Sequence, residues 1–97
     1  MSRAIARLND QTMGDCSVHG SNIGGKITSA SPNVIVNNRG VARLGDKVLA
    51  DCGHESEIIT ASPGRSANQR GVARLNDEVG NSPYTAKIIT ASPNTFD

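Results

Sequence analysis

The sequence predicts an all-β fold: a small cone of three short repeats arranged around a pseudo-threefold axis. Two observations carry the repeat and the strands. A six-residue block recurs three times, and a second block recurs three times in alternation with it. Both blocks are rich in β-branched residues and bounded by Gly, Asn and Pro, which reads as short strands and turns rather than helix. A third observation concerns closure. One unit of about thirty residues cannot bury a core alone, whereas three around one axis can share one, and three can close and taper.

The first block is Ile5-Ala6-Arg7-Leu8-Asn9-Asp10, then Val41-Ala42-Arg43-Leu44-Gly45-Asp46, then Val72-Ala73-Arg74-Leu75-Asn76-Asp77. The second is Ile27-Thr28-Ser29-Ala30-Ser31-Pro32-Asn33, then Ile58-Ile59-Thr60-Ala61-Ser62-Pro63-Gly64, then Ile88-Ile89-Thr90-Ala91-Ser92-Pro93-Asn94. Arg-to-Arg spacings are 36 and 31 residues and Pro-to-Pro spacings 31 and 30, so the first repeat carries a longer middle.

Each block is expected to be a short strand closed by a turn. After Arg-Leu stands Asn9, Gly45 or Asn76, and after Ser-Pro stands Asn33, Gly64 or Asn94. Asn and Gly share little except tolerance of left-handed backbone. The first set is therefore read as left-handed residues, and each Ser-Pro-Asn/Gly as a type II turn. Asp10, Asp46 and Asp77 would cap their own turns or pair with Arg7, Arg43 and Arg74.

Ninety-seven residues allow one domain, 1–97, with repeats at approximately 4–33, 40–64 and 71–94. One Phe, one Tyr, no Trp and about a third Ser, Asn, Gly and Pro exclude a large aromatic core and argue against a helical bundle. Such a chain buries roughly 60–65% of its unfolded surface. A core of Ala, Val and Ile on that scale calls for an added staple.

Ten Lys and Arg stand against nine Asp and Glu with no basic run, which argues against nucleic acid and acidic membranes as partners. Apolar runs such as Val34-Ile35-Val36 fall far short of a membrane span. The first residues lack an apolar signal segment, so synthesis in the cytosol without a Sec signal is expected, with export by a dedicated machine or release by lysis left open.

The two cysteines and two histidines form pairs, Cys16-Ser17-Val18-His19 and Cys52-Gly53-His54, in matching parts of the first two repeats. If those faces converge, two thiolates and two imidazoles suit one tetrahedral Zn²⁺ with no open position, with iron as a rival occupant. The third repeat offers Asn81, Ser82 and Tyr84 there. Competing readings are free buried thiols, a disulfide, which a cytosolic chain disfavours, or a Cys-His nucleophile pair, for which no third orienting group stands out. A structural metal would also be the missing staple.

With these residues placed, the chain resembles the PAAR-repeat family, whose repeat carries Pro-Ala-Ala-Arg-x-Gly-Asp. The Ala-Arg-Leu-Asn/Gly-Asp blocks match it, without the family's Pro and with its Gly only at Gly45. The family's Gly-Ser-Pro strand motif is matched by Ala-Ser-Pro at 30–32, 61–63 and 91–93, its His-Gly by His19-Gly20, and its Cys…His loop by Cys52-Gly53-His54. The resemblance implies a small β cone whose broad base docks on a trimeric β-helix and whose tip holds a metal, usually through three His and one Cys. It carries His19, Cys52 and His54 as ligands, while Cys16 is placed by its chemistry.

The resemblance further implies a non-enzymatic spike tip of a contractile injection machine, one copy per spike trimer, in transient contact with a target cell envelope. A bare tip with no added domain points to a phage tail of the T-even type, at the baseplate spike of the virion. A type VI secretion tip is the alternative. More distant readings are a zinc-binding module for nucleic acid or protein, and a small Cys/His hydrolase.

Overall fold

The computed structural model describes residues 3–80 and 83–96. Among them there is no helix, and ten strands follow in order. Six of them form three antiparallel hairpins: β1 (Gln11–Cys16) with β2 (Gly20–Ile27), β5 (Lys47–Ala50) with β6 (Glu55–Ile58), and β9 (Glu78–Gly80) with β10 (Tyr84–Ile88). The hairpins join edge to edge through β10–β1, β2–β5 and β6–β9 into a closed barrel, in the order β1-β10-β9-β6-β5-β2. Closure leaves no free barrel edge.

Alternation drives the barrel. β5 reads Lys-Val-Leu-Ala with Val48 and Ala50 buried, and β10 buries Tyr84, Ala86 and Ile88 while Thr85 and Lys87 face out. Ile27, Ile58 and Ile88 are buried directly opposite Val48, Val79 and Thr12 across the joins between hairpins. No large aromatic cluster is needed, because the barrel is narrow enough for aliphatic side chains to fill.

Below the hairpins the Ala-Arg blocks meet at the axis. The amide N–H of Ala6 donates to Ala73, that of Ala73 to Ala42, and that of Ala42 to Ala6, at 2.9, 2.9 and 3.0 Å, which closes a three-membered ring of backbone hydrogen bonds. All three alanines have zero exposure, so a methyl is all the space the axis allows. These blocks are joined by isolated bridges (Ile5–Arg74, Arg7–Val41, Arg43–Val72) rather than by continuous strands, so the strand expected there is shorter than the sequence suggested. The Ile-Thr blocks follow the ends of β2, β6 and β10.

The left-handed residues occur where expected, with φ of 70° at Asn9, 85° at Gly45 and 71° at Asn76. The type II turns do not: none of Asn33, Gly64 and Asn94 has a positive φ. The preceding serine closes the bend instead. Ser31 Oγ accepts from the N–H groups of Asn33 and Val34, and Ser62 and Ser92 do the same for their successors.

Two further hairpins had escaped the sequence reading. They are β3 (Ile35–Val36) with β4 (Arg39–Gly40), and β7 (Ser66–Ala67) with β8 (Arg70–Gly71). Their two-residue turns, Asn37-Asn38 and Asn68-Gln69, all have positive φ, as a type I′ turn requires. The third counterpart is built from the two ends of the described chain, where Ala4 bridges Phe96.

Each aspartate does both things expected of it, and more. The Asp46 carboxylate accepts from the Arg43 N–H, Nε and Nη2, from Ser29 Oγ and from Arg70 Nη2 of the following hairpin. Asp10 is held in the same way by Arg7, Thr90 and Arg39, and Asp77 by Arg74, Thr60 and Arg3. All three aspartates are 2% exposed. The bond from Asp46 also raises the Arg43 pKa above its usual value. Because the hydroxyl comes from another repeat in each case (Ser29 for Asp46, Thr90 for Asp10, Thr60 for Asp77), these clusters tie neighbouring repeats together.

Candidate metal centre

β1, β5 and β9 all leave the Arg-x-x-Asp turns in one direction, and β2, β6 and β10 return, so the hairpin turns gather at the end of the barrel opposite the Ala ring. Cys16 ends β1 and is buried; His19 sits in the turn that follows. Cys52 and His54 belong to the turn between β5 and β6, where Gly53 takes a φ of 97°. That conformation suits glycine and reverses the chain between the two side chains.

The longer middle of the first repeat appears as strands of six and eight residues in β1 and β2, against four each in β5 and β6. A register shift between Gly14 and Cys16 re-aims the end of β1. Gly14 is required there, because an added Cβ would fall 2.0 Å from the Thr85 carbonyl oxygen.

The four side chains expected to converge do so. One ligand atom from each of Cys16, His19, Cys52 and His54 lies within 4.8 Å of every other. Cys16 Sγ is 3.3 Å from His19 Nδ1 and 3.2 Å from His54 Nδ1, and Cys52 Sγ is 3.7 Å from His54 Nδ1. Zinc bonds of about 2.3 Å to sulfur and 2.0–2.1 Å to nitrogen place tetrahedral S and N ligands roughly 3.5 Å apart. The donor set therefore fits one four-coordinate ion in chemistry and in size. Both cysteines are free, so the disulfide alternative is not the state described.

Electrostatics favour the ligand form of Cys16. Burial pushes its thiol up, but hydrogen bonding from the Val18 backbone, from the His19 and His54 rings and from the His19 backbone outweighs this and brings the pKa down to about 6. A thiolate is what a metal needs. The imidazoles stack loosely, with ring centroids 4.9 Å apart and an interplanar angle of 38°.

The third repeat contributes packing. Tyr84 pairs with Cys16 across the β10–β1 ladder and is fully buried. Its hydroxyl lies 2.9 Å from Thr12 Oγ1 and donates to the Ile23 carbonyl at 2.9 Å. Burial, the largest influence, raises its pKa. Asn81 and Ser82, named with it from the sequence, lie outside the described residues. Sequence reasoning missed the Thr12–Tyr84 pair, although Thr12, two residues after Asp10 where the other repeats have buried Val48 and Val79, was its signal.

The described residues thus form a small closed all-β barrel with an internal threefold repeat and, at one end, a Cys₂His₂ cluster whose donors fit a metal ion. A family model described as the PAAR motif matches residues 19–82, about two thirds of the chain. The chain belongs to the PAAR family, and with it to the spike-tip proteins of contractile injection systems. His19, Cys52 and His54 lie inside the matched segment and Cys16 outside it. No curated protein matches the chain.

Proposed function

We propose that the chain is a non-enzymatic cap, one copy seated on the end of a trimeric β-helix spike, with Cys16, His19, Cys52 and His54 holding one structural metal ion, Zn²⁺ by preference. The reading takes residues 1–97 as a single domain of three repeats. The observation that carries the docking is the threefold pattern of backbone bonds at the Ala6–Ala42–Ala73 end. A trimer presents three identical strand ends, and a single chain can meet them equally only by imitating threefold symmetry. Strand continuation would satisfy the N–H and C=O groups that a β-helix leaves open at its end.

At the other end, all four donors are used by a closed site, which suits a structural ion rather than a substrate. When bound, the ion would supply a cross-link between the turns of the first two repeats. That is where short hairpins would otherwise fray during passage through a target envelope. Cys16 and Cys52 would bind as thiolates, and His19 and His54 as neutral imidazoles.

The test is to mix the protein with the β-helix fragment of its spike and measure the mass of the complex. One chain per three spike chains is expected, and separate species would overturn the reading. Location assigns the machine. Recovery in purified virions at the baseplate tip identifies a phage tail, and recovery from the medium in a manner dependent on a type VI apparatus identifies a secretion tip.

A further inference from the structure

We infer that Cys16 and Cys52 form a redox-switchable pair, able to close into a disulfide that keeps the two tip turns joined when the metal is gone. This rests on the metal site proposed above for its starting state, but the cysteine geometry stands by itself. The two cysteines come from different hairpins, and their Sγ atoms lie within 4.8 Å of each other. A disulfide has an S–S length of about 2.05 Å, so the sulfurs need to close by roughly 2.8 Å at most. Cys52 stands in the turn between β5 and β6, outside any strand, and is the one to make that movement. Cys16 ends a strand paired on both sides and stays in place.

Exposure sets the order of events. Cys16 is 2% exposed, whereas Cys52 is only partly buried. With hydrogen peroxide as oxidant, the Cys52 thiolate attacks one peroxide oxygen, the O–O bond breaks, and hydroxide leaves with a proton as water. Cys52 is then a sulfenic acid. The Cys16 thiolate attacks that sulfur, the S–S bond forms and the second hydroxide leaves, again as water. Two thiolates, two protons and one peroxide give one disulfide and two waters. His19 and His54 alone are a poor zinc site, so any bound ion is released. The tip would thus carry a metal staple in a reducing cytosol and a covalent one outside the cell, joining the same two hairpins.

The test begins with the purified full chain, its zinc measured before and after hydrogen peroxide. The expected result is loss of both free thiols, a mass lower by about two daltons in a monomer, a peptide linking Cys16 to Cys52, and release of zinc in step with thiol loss. Metal-free oxidised protein should melt at least about 5 °C above metal-free reduced protein. In Cys16→Ser, Cys52 should stop at the sulfenic acid or oxidise further. Sulfinic acids, intermolecular dimers or unreacted thiols in the unmutated chain would overturn the inference. A chain that arrives without metal yet forms the internal disulfide would defeat the metal reading and leave this one standing.

Discussion

The end of the barrel that carries the Ala6–Ala42–Ala73 ring repeats its ring bond and its aspartate cluster in all three repeats, whereas at the other end two repeats supply sulfur and imidazole and the third supplies Tyr84. At the first end every repeat has the same buried aspartate, held by an arginine three residues before it, a hydroxyl, and a second arginine distant in sequence. The load is shared, and no single repeat is special. At the other end the symmetry is broken: two repeats bring together one Cys and one His each, the four donors that a single tetrahedral ion would need, and the third fills space with Tyr84.

That contrast can be tested at the tip first. Removing metal from the reduced protein should lower the melting temperature by more than about 15 °C, since structural zinc sites in small domains contribute on the order of 10 kcal/mol. Thermal scans with and without chelator check this. Next, Asp46→Ala should cost about 3–5 kcal/mol, because it strands the largely buried Arg43 beside a cavity, whereas Arg70 reaches solvent and adds little. Asp10→Ala and Asp77→Ala should cost a similar amount by denaturant titration. A large inequality among the three would break the idea that the repeats share the load.

Tyr84→Phe removes the hydroxyl that joins Thr12 to the Ile23 carbonyl, and should cost about 1–3 kcal/mol while leaving zinc content unchanged. This separates the packing role of the third repeat from the ligand role of the other two. Asn38→Ala places a non-glycine, non-Asn residue at a φ of 64° in a hairpin turn. About 1 kcal/mol of destabilisation is expected by the same titration. Smallest of all, Lys47→Met breaks an exposed pair with Glu57 and should shift the melting temperature by less than about 2 °C.

The physics explains which of these features were legible in the sequence. The left-handed residues were, because Asn9, Gly45 and Asn76 substitute for one another only where backbone conformation is the constraint. The same Asn/Gly signal misled at Asn33, Gly64 and Asn94, where the serine hydroxyl two residues earlier shapes the bend. The Asn37-Asn38 and Asn68-Gln69 turns were readable as type I′ hairpins but were masked by the stronger repeat pattern around them. The four candidate ligands were legible because Cys and His are rare here and lie in matching places. Arg39, Arg70 and Arg3 as second partners of the aspartates were not, since they lie 29, 24 and 74 residues away in sequence and meet them only through the closed threefold arrangement.

X-ray absorption at the zinc edge, combined with elemental assay of the purified chain, is the most direct probe of the tip. One zinc per chain with two sulfur and two nitrogen neighbours, at about 2.3 and 2.0–2.1 Å, is the outcome that follows from Cys16, His19, Cys52 and His54. A metal-free protein of undiminished stability, or a zinc surrounded by oxygen, would contradict it.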